Sequence, residues 1–444
     1  MLNVTSGNGT LSVLYFGYGI KGVSVSVIYD GGHYNRFVKK SGEWTTEKTA
    51  DGYVARSGAF GLKFREINGG FTVMASYTAD EKIAHAILFR AFSGMTKEIT
   101  EAVVNGFSES NGNRFNEMQA APRLSRLVRS QSVISSDSVA AKFSDGKVAA
   151  IGAATFEKYF TEIELNSDGE IAVGHQLDFK SIEAGETIES DEIAFVPGED
   201  HGDALERYAR VTAGFNPREI KPAPVGWCSW YYYGANISAD IIRENMYALK
   251  TANVPVNLIQ IDDGWAKARG DWEPNERFGD MKALADEIRA AGYTPGIWIA
   301  PFAADENSEV YRTHPEWFVK NLDDDGIFGY PSMDFSHPGA AEHLRKIFTT
   351  ISREWGYRYI KIDLVLHAIS AGRHFDRSFN AIRNYRRALR IINEAVTPDT
   401  YLISCTAPIG ASTGLVDGTR TSSDIFEDRE SVRKISLQNF RRST

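Results

Sequence analysis

The chain has 444 residues, 43% of them apolar, and carries 49 basic against 58 acidic side chains for a formal charge of −9 at pH 7. That length exceeds what one core usually serves, so more than one domain is expected, and the acidic balance excludes a basic nucleic-acid surface and favours a neutral substrate. Cys228 and Cys405 make no disulfide framework, the N-terminus shows no basic start followed by an apolar stretch, and no apolar run reaches membrane-spanning length; a reducing, cytoplasmic setting with no membrane partner is expected.

Residues 1–200 read as an all-β domain. Alternating runs such as Gly22-Val-Ser-Val-Ser-Val-Ile-Tyr29 and Gly70-Phe-Thr-Val-Met-Ala-Ser-Tyr77 are punctuated by Gly, Asn, Asp and Ser, and the regular turn signals predict a large sandwich. No nucleophile stands with a base in it, so a scaffold role is expected. Near Asp200-His-Gly-Asp-Ala-Leu-Glu-Arg207 the period becomes helical, and residues 201–221 read as a helical linker ending at Lys221-Pro-Ala-Pro224.

Residues 222–444 then alternate strand and helix. Short apolar strands are expected at 225–230, 257–261, 295–301, 359–364, 401–405 and 416–421, with helices at 238–251, 281–291, 340–355 and 378–395. Buried, non-alternating strands in repeated βα units imply a parallel sheet of the α/β (β/α)8 TIM-barrel type, whose sites lie at the strands' C-terminal ends. Closure needs eight strands, and the reading ends at Arg442-Ser-Thr444 after about six βα units. A barrel truncated there would leave exposed edges, so the 444-residue polypeptide by itself is expected to be unstable or inactive, with the activity belonging to the full-length chain.

In chain order, the first chemical signal is Gln260-Ile-Asp-Asp-Gly-Trp265. Adjacent Asp262 and Asp263 at a strand end suit sugar hydroxyls, the ordinary alternative being an Asp-Gly turn with a capping carboxylate. Trp227, Trp230, Trp265, Trp272 and Trp298 fall at strand ends and in the loops after them, where some could stack on a pyranose and others fill the core. In Tyr359-Ile-Lys-Ile-Asp363, Lys361 and Asp363 are two apart and project to one side, so an ammonium keeps a carboxylate ionised; a structural ion pair is the plainer reading. Cys405 has no His nearby in sequence and reads as a small wall residue. In Thr419-Arg-Thr-Ser-Ser-Asp424, Arg420 accompanies a second acid, Asp424, and two carboxylates in different surroundings suggest an acid and a base. The histidines show no metal-ligand spacing and the glycines no phosphate loop, so no metal and no cofactor are expected.

Taken in order, Gly226-Trp-Cys-Ser-Trp-Tyr231, Ile261-Asp-Asp-Gly-Trp265, Gly270-Asp-Trp272, Gly296-Ile-Trp-Ile-Ala-Pro301, His314-Pro-Glu-Trp317, Tyr359-Ile-Lys-Ile-Asp363 and Arg420-Thr-Ser-Ser-Asp424 resemble the melibiase-type α-galactosidases of glycoside hydrolase family 36. The resemblance implies an N-terminal supersandwich, a barrel, and retaining cleavage of terminal α-galactosyl residues by double displacement. It implies Asp363 as nucleophile and Asp424 as acid/base. Asp262 and Asp263 would hold the sugar 4- and 6-hydroxyls, Trp298 would pack beside the ring, Lys361 and Arg420 would bind further hydroxyls, and Cys405, Trp230 and Tyr231 would line the pocket. An α-N-acetylgalactosaminidase or an α-galactosyl transferase of the same clan stays open, as does a non-catalytic carbohydrate-binding protein. The expected partner is an α-galactoside oligosaccharide, with no nucleic acid, and a homo-oligomer is allowed.

Overall fold

The computed structural model describes residues 1–31, 36–105, 123–127, 130–321, 329–369, 372–420, 424, 428–430, 432–433 and 436. The hydroxyl-rich stretch 421–423 and the tail at 442–444, both used in the sequence reading, lie outside the described residues. The chain divides into two compact units, with Met1–Pro217 in the first and Arg218–Ile435 in the second.

In the first unit, strands such as Leu2–Gly7 and Thr10–Tyr15 bury alternate residues, Leu2 and Val4 in one and Leu11, Val13 and Tyr15 in the other. That period-two burial makes a sheet with one face in the core. Among the described residues the strands form two antiparallel sheets, of eight and of ten strands. Val25, Phe64, Phe89, Ile163 and Ile171 belong to the one apolar cluster that the sheets enclose. The stretch read as a linker forms α1 (His201–Phe215), capped where Asp200 accepts from the Asp203 N–H at 2.9 Å. It packs Ala204 and Tyr208 against Ala150 and Val196 of the sheet in a second, smaller cluster.

The second unit is built of β1 (Gly226–Cys228), β2 (Leu258–Ile261), β3 (Thr294–Ile299), β4 (Tyr359–Ile362), β5 (Tyr401–Ser404) and β6 (Gly418–Thr419). These six form one parallel sheet in strict chain order, an arc of a barrel. Every residue of β2 and of β4 is buried, as parallel strands covered on both faces require. The covering helices include α2 (Ala239–Thr251), α3 (Met281–Ala290), α4 (Pro338–Thr349) and α5 (Ala381–Ala395). Ser238, Asp280 and Asn380 cap α2, α3 and α5 through their side-chain oxygens. In α5, Ala381, Tyr385, Ala388 and Ile392 recur at three- and four-residue spacing on the buried face.

Backbone bonds carry the ladder past the strand ends. Asp363 N–H donates to Ile299 O at 2.9 Å, Cys405 N–H to Ile362 O at 2.8 Å and Arg420 N–H to Ser404 O at 2.8 Å. These three residues therefore stand at the C-terminal tips of β4, β5 and β6, and Asp262 directly follows β2, its N–H donating to Ser229 Oγ at 3.0 Å.

Candidate active site

The tips converge on Lys361. Its Nζ lies 3.1 Å from Asp262 Oδ2 and 3.4 Å from Asp363 Oδ2, so one ammonium serves two carboxylates from non-neighbouring strands. Asp363 also receives the Trp298 Nε1–H on Oδ2 at 2.9 Å and the Leu364 N–H on Oδ1 at 2.7 Å. Burial by itself pushes the Asp363 carboxyl up, but Lys361, the Cys405 thiol, the Trp298 indole and the Leu364 amide outweigh it and hold it below the usual carboxylate range. The same two acids raise Lys361 against the opposing effect of burial.

Asp262 is differently placed. Gln260 Nε2 donates to its Oδ2 at 2.6 Å and the Cys228 thiol at 3.4 Å, while the Asp263 N–H reaches its Oδ1 at 3.0 Å. At 2% exposure it is the more deeply buried acid, and there burial outweighs Lys361, so its carboxyl is raised. Burial pushes the Cys228 thiol up to about 12, with Asp262 adding to the effect, and both thiols stay protonated as donors.

The backbone at these tips is held in sparsely populated conformations. Leu364 and the β-branched Thr406, each directly after a site residue, have φ of +49° and +54°. Thr406 Oγ donates to Cys405 O at 2.6 Å and accepts from the Val365 N–H at 3.2 Å, tying the β5 tip to the β4 loop. Gly264 has φ +112°, and a Cβ there would lie 2.4 Å from Ala235 O, so the turn after Asp263 admits only glycine.

Asp424 Oδ1 accepts from Arg420 Nη1 at 2.5 Å, and the Asp424 side chain is 42% exposed. Burial would lower Arg420, but Cys405, Asp363, Asp424 and Tyr231 together raise it. The Tyr231 phenol is raised by burial and next by Asp424, with Lys361 and Arg420 opposing. Tyr231 and Arg420 thus sit in one electrostatic neighbourhood with Asp363, Lys361 and Asp424. Tyr231 is half-exposed and Trp230 half-buried at the start of the short helix Trp230–Tyr233.

The tryptophans divide by role. Trp265 is fully buried, donates Nε1–H to Trp298 O at 2.8 Å, and packs against Trp272 and Trp355, so it is core. Trp298, packed edge-on to Trp272, turns its indole N–H onto Asp363. Asp263 binds Arg269, whose Nη2 lies 3.1 Å from Oδ2. Arg269, Gln260, Cys228 and Thr406 were not singled out in the sequence as site residues. Gln260 had a signal, because it stands two before Asp262 on a strand and must share its face. Arg269 stands in an aperiodic loop and had none.

Such a group holds one buried, ionised, oriented carboxylate and one half-exposed carboxylate paired with an arginine, among neutral donors. It can supply a nucleophile and a proton donor in different environments.

Residues 220–403 match the family model described as Melibiase. An α-galactosidase of Escherichia coli is 26% identical over 200 residues, 42% of this chain and 28% of that protein. An A type blood α-D-galactosamine galactosaminidase of Flavonifractor plautii is 32% identical over 186 residues, 38% of this chain and 17% of that protein. The chain thus spans less than a third of either relative. Among solved structures, the family 36 α-galactosidase AgaA of Geobacillus stearothermophilus, as a variant in complex with raffinose, superposes with a TM-score of 0.69 at 16% identity, covering 94% of this chain and 66% of that one. The α-galactosidase TtGalA of Thermus thermophilus, in complex with stachyose, gives 0.62 at 21% identity over 88% of this chain and 82% of that one. At these identities the superpositions establish the fold, antiparallel sheets followed by a partial parallel barrel.

Proposed function

From a melibiase-family domain at residues 220–403, we propose that the chain cleaves terminal α-D-galactosyl residues from galacto-oligosaccharides with retention of configuration. The observation that carries this reading is the environment of Asp363: an ammonium, an indole N–H and a backbone N–H converge on a buried carboxylate and favour its ionised form. Asp363 attacks the anomeric carbon and forms a glycosyl-enzyme intermediate. Asp424, half-exposed beside Arg420, protonates the departing oxygen and then deprotonates the incoming water. Lys361 favours the ionised form of Asp363 while donating into the site. Cys405 and Tyr231 border the sugar, with Trp230 beside them.

The relatives' names support the sugar class, since the E. coli protein is an α-galactosidase and the F. plautii one a galactosaminidase. The second name specifies α-D-galactosamine, a sugar altered at the 2-position, and an α-N-acetylgalactosaminidase is the alternative reading. No described helix is long and apolar enough to cross a membrane, and we place the protein in the cytoplasm on its two unpaired thiols. The test is hydrolysis of p-nitrophenyl α-D-galactoside and its 2-acetamido analogue, with the first-formed product anomer read by NMR. α-Galactose as first product supports double displacement, and β-galactose excludes it.

A further inference from the structure

We propose that Arg269 is a substrate-binding residue, the donor half of a two-sided grip on one sugar hydroxyl of which Asp263 is the acceptor half. The inference rests on the galactoside reading and adds to it a residue and the hydroxyl-level chemistry of one subsite.

Of the adjacent acids, Asp262 has little bonding capacity left. Gln260, Lys361 and Cys228 all address its Oδ2 and the Asp263 amide its Oδ1. Asp263 is the open one, with a 25% exposed side chain, Oδ1 accepting from the Gly264 N–H at 2.8 Å and Oδ2 from Arg269 at 3.1 Å. A carboxylate has about four lone-pair positions, so acceptor capacity remains on Asp263. It can only accept. A hydroxyl both donates and accepts, and a subsite of carboxylates alone leaves its oxygen without a donor.

Arg269 supplies that donor. Its guanidinium carries five N–H groups, and the one side-chain bond it makes among the described residues is to Asp263. The group is 26% exposed and lies over two aromatic rings, its Cζ 5.8 Å from the Trp298 ring centroid and 4.9 Å from that of Tyr330. Trp298 is also the residue that binds Asp363, so one indole stands between the Arg269–Asp263 pair and the reacting carboxylate. A guanidinium beside an open carboxylate, one indole away from Asp363, is placed to reach a sugar held against that carboxylate.

The test is calorimetric titration of the whole chain with D-galactose, 4-deoxy-D-galactose and 6-deoxy-D-galactose, for wild type, Arg269→Lys and Arg269→Met. One deoxy sugar should bind the wild type about 10- to 100-fold more weakly than galactose, the loss expected for a charged hydrogen bond. In Arg269→Met that ratio should fall to within about threefold while the other deoxy sugar keeps its ratio, and Arg269→Lys should retain part of it. Unchanged ratios in Arg269→Met, or an equal loss for all three sugars in a variant with wild-type melting temperature, would overturn the assignment. Galactose binding with unchanged ratios removes Arg269 alone; no binding of any of the three sugars to the wild type removes the galactoside reading and this inference together.

Discussion

Trp298 donates its indole N–H to Asp363 Oδ2 at 2.9 Å across two adjacent parallel strands. Trp298 pairs in register with Lys361, so its side chain reaches the residue two further along β4. Lysine and indole therefore address the same carboxylate oxygen. Trp298→Phe keeps a ring but removes the donor, and is expected to lower kcat/KM on an aryl α-galactoside about 10- to 100-fold, the range for a hydrogen bond to a charged group. It should also move the acid limb of the pH profile upward, because one of the effects holding Asp363 low is gone. An unchanged limb would mean the indole is only packing.

Asp363→Gly tests the proposed nucleophile. Loss of turnover by about 10⁴-fold or more is expected, with external azide restoring release of dinitrophenol from an activated galactoside and yielding a galactosyl azide of inverted configuration. Retained activity would remove Asp363 from its role.

Lys361→Met strips two buried acids of their shared ammonium. Breaking such a group is expected to cost roughly 3–5 kcal/mol at neutral pH, measured by urea unfolding. The sign with pH distinguishes this from simple loss of packing. In the wild type the Asp363 value is lowered, so its contribution is present above the ordinary 3.8 and is lost as pH falls through the lowered value. In Lys361→Met the ammonium no longer opposes burial at either carboxyl, so both values move upward and the variant's deficit shrinks as pH falls through them. The Lys361 contribution itself is complete below 10.5 and declines as pH rises through its raised value. A stability deficit independent of pH between 4 and 7 would show that the charges are not what Lys361 supplies.

The sequence exposed those parts of the fold and site that follow a short period. The six strands and the helices after them were readable because buried parallel strands are continuous apolar runs and their covering helices repeat at three and four residues, as in α5. Lys361 and Asp363 were placed on one face by strand alternation alone. The bridge from Lys361 to Asp262 could not be read that way: 99 residues separate them, and only the sheet order brings β2 and β4 to either side of β3. Arg269 and Thr406 act through loop conformations, the latter at φ +54°, which no periodic pattern encodes.

Asp424 differs from Asp363 in exposure and in partner, and the difference bears on its role. The Asp363 side chain is 13% exposed and held by an ammonium and neutral donors; the Asp424 side chain is 42% exposed and held by Arg420 alone among the described residues. An acid that must exchange protons with a leaving oxygen and then with water needs that access. If Asp424 is the proton donor, its removal harms substrates in proportion to the basicity of the leaving group. Asp424→Ala is expected to slow raffinose cleavage about 10²- to 10⁴-fold, the usual worth of general acid catalysis. A dinitrophenyl galactoside, whose leaving group needs no proton, should still form the glycosyl-enzyme at close to the wild-type rate and then stall, because the base for the second step is missing. Stopped-flow detection of dinitrophenol would show a burst of one equivalent followed by a slow steady state, and azide would speed the slow phase only. Equal losses on raffinose and on the dinitrophenyl substrate, with no burst, would assign the proton transfer to another residue.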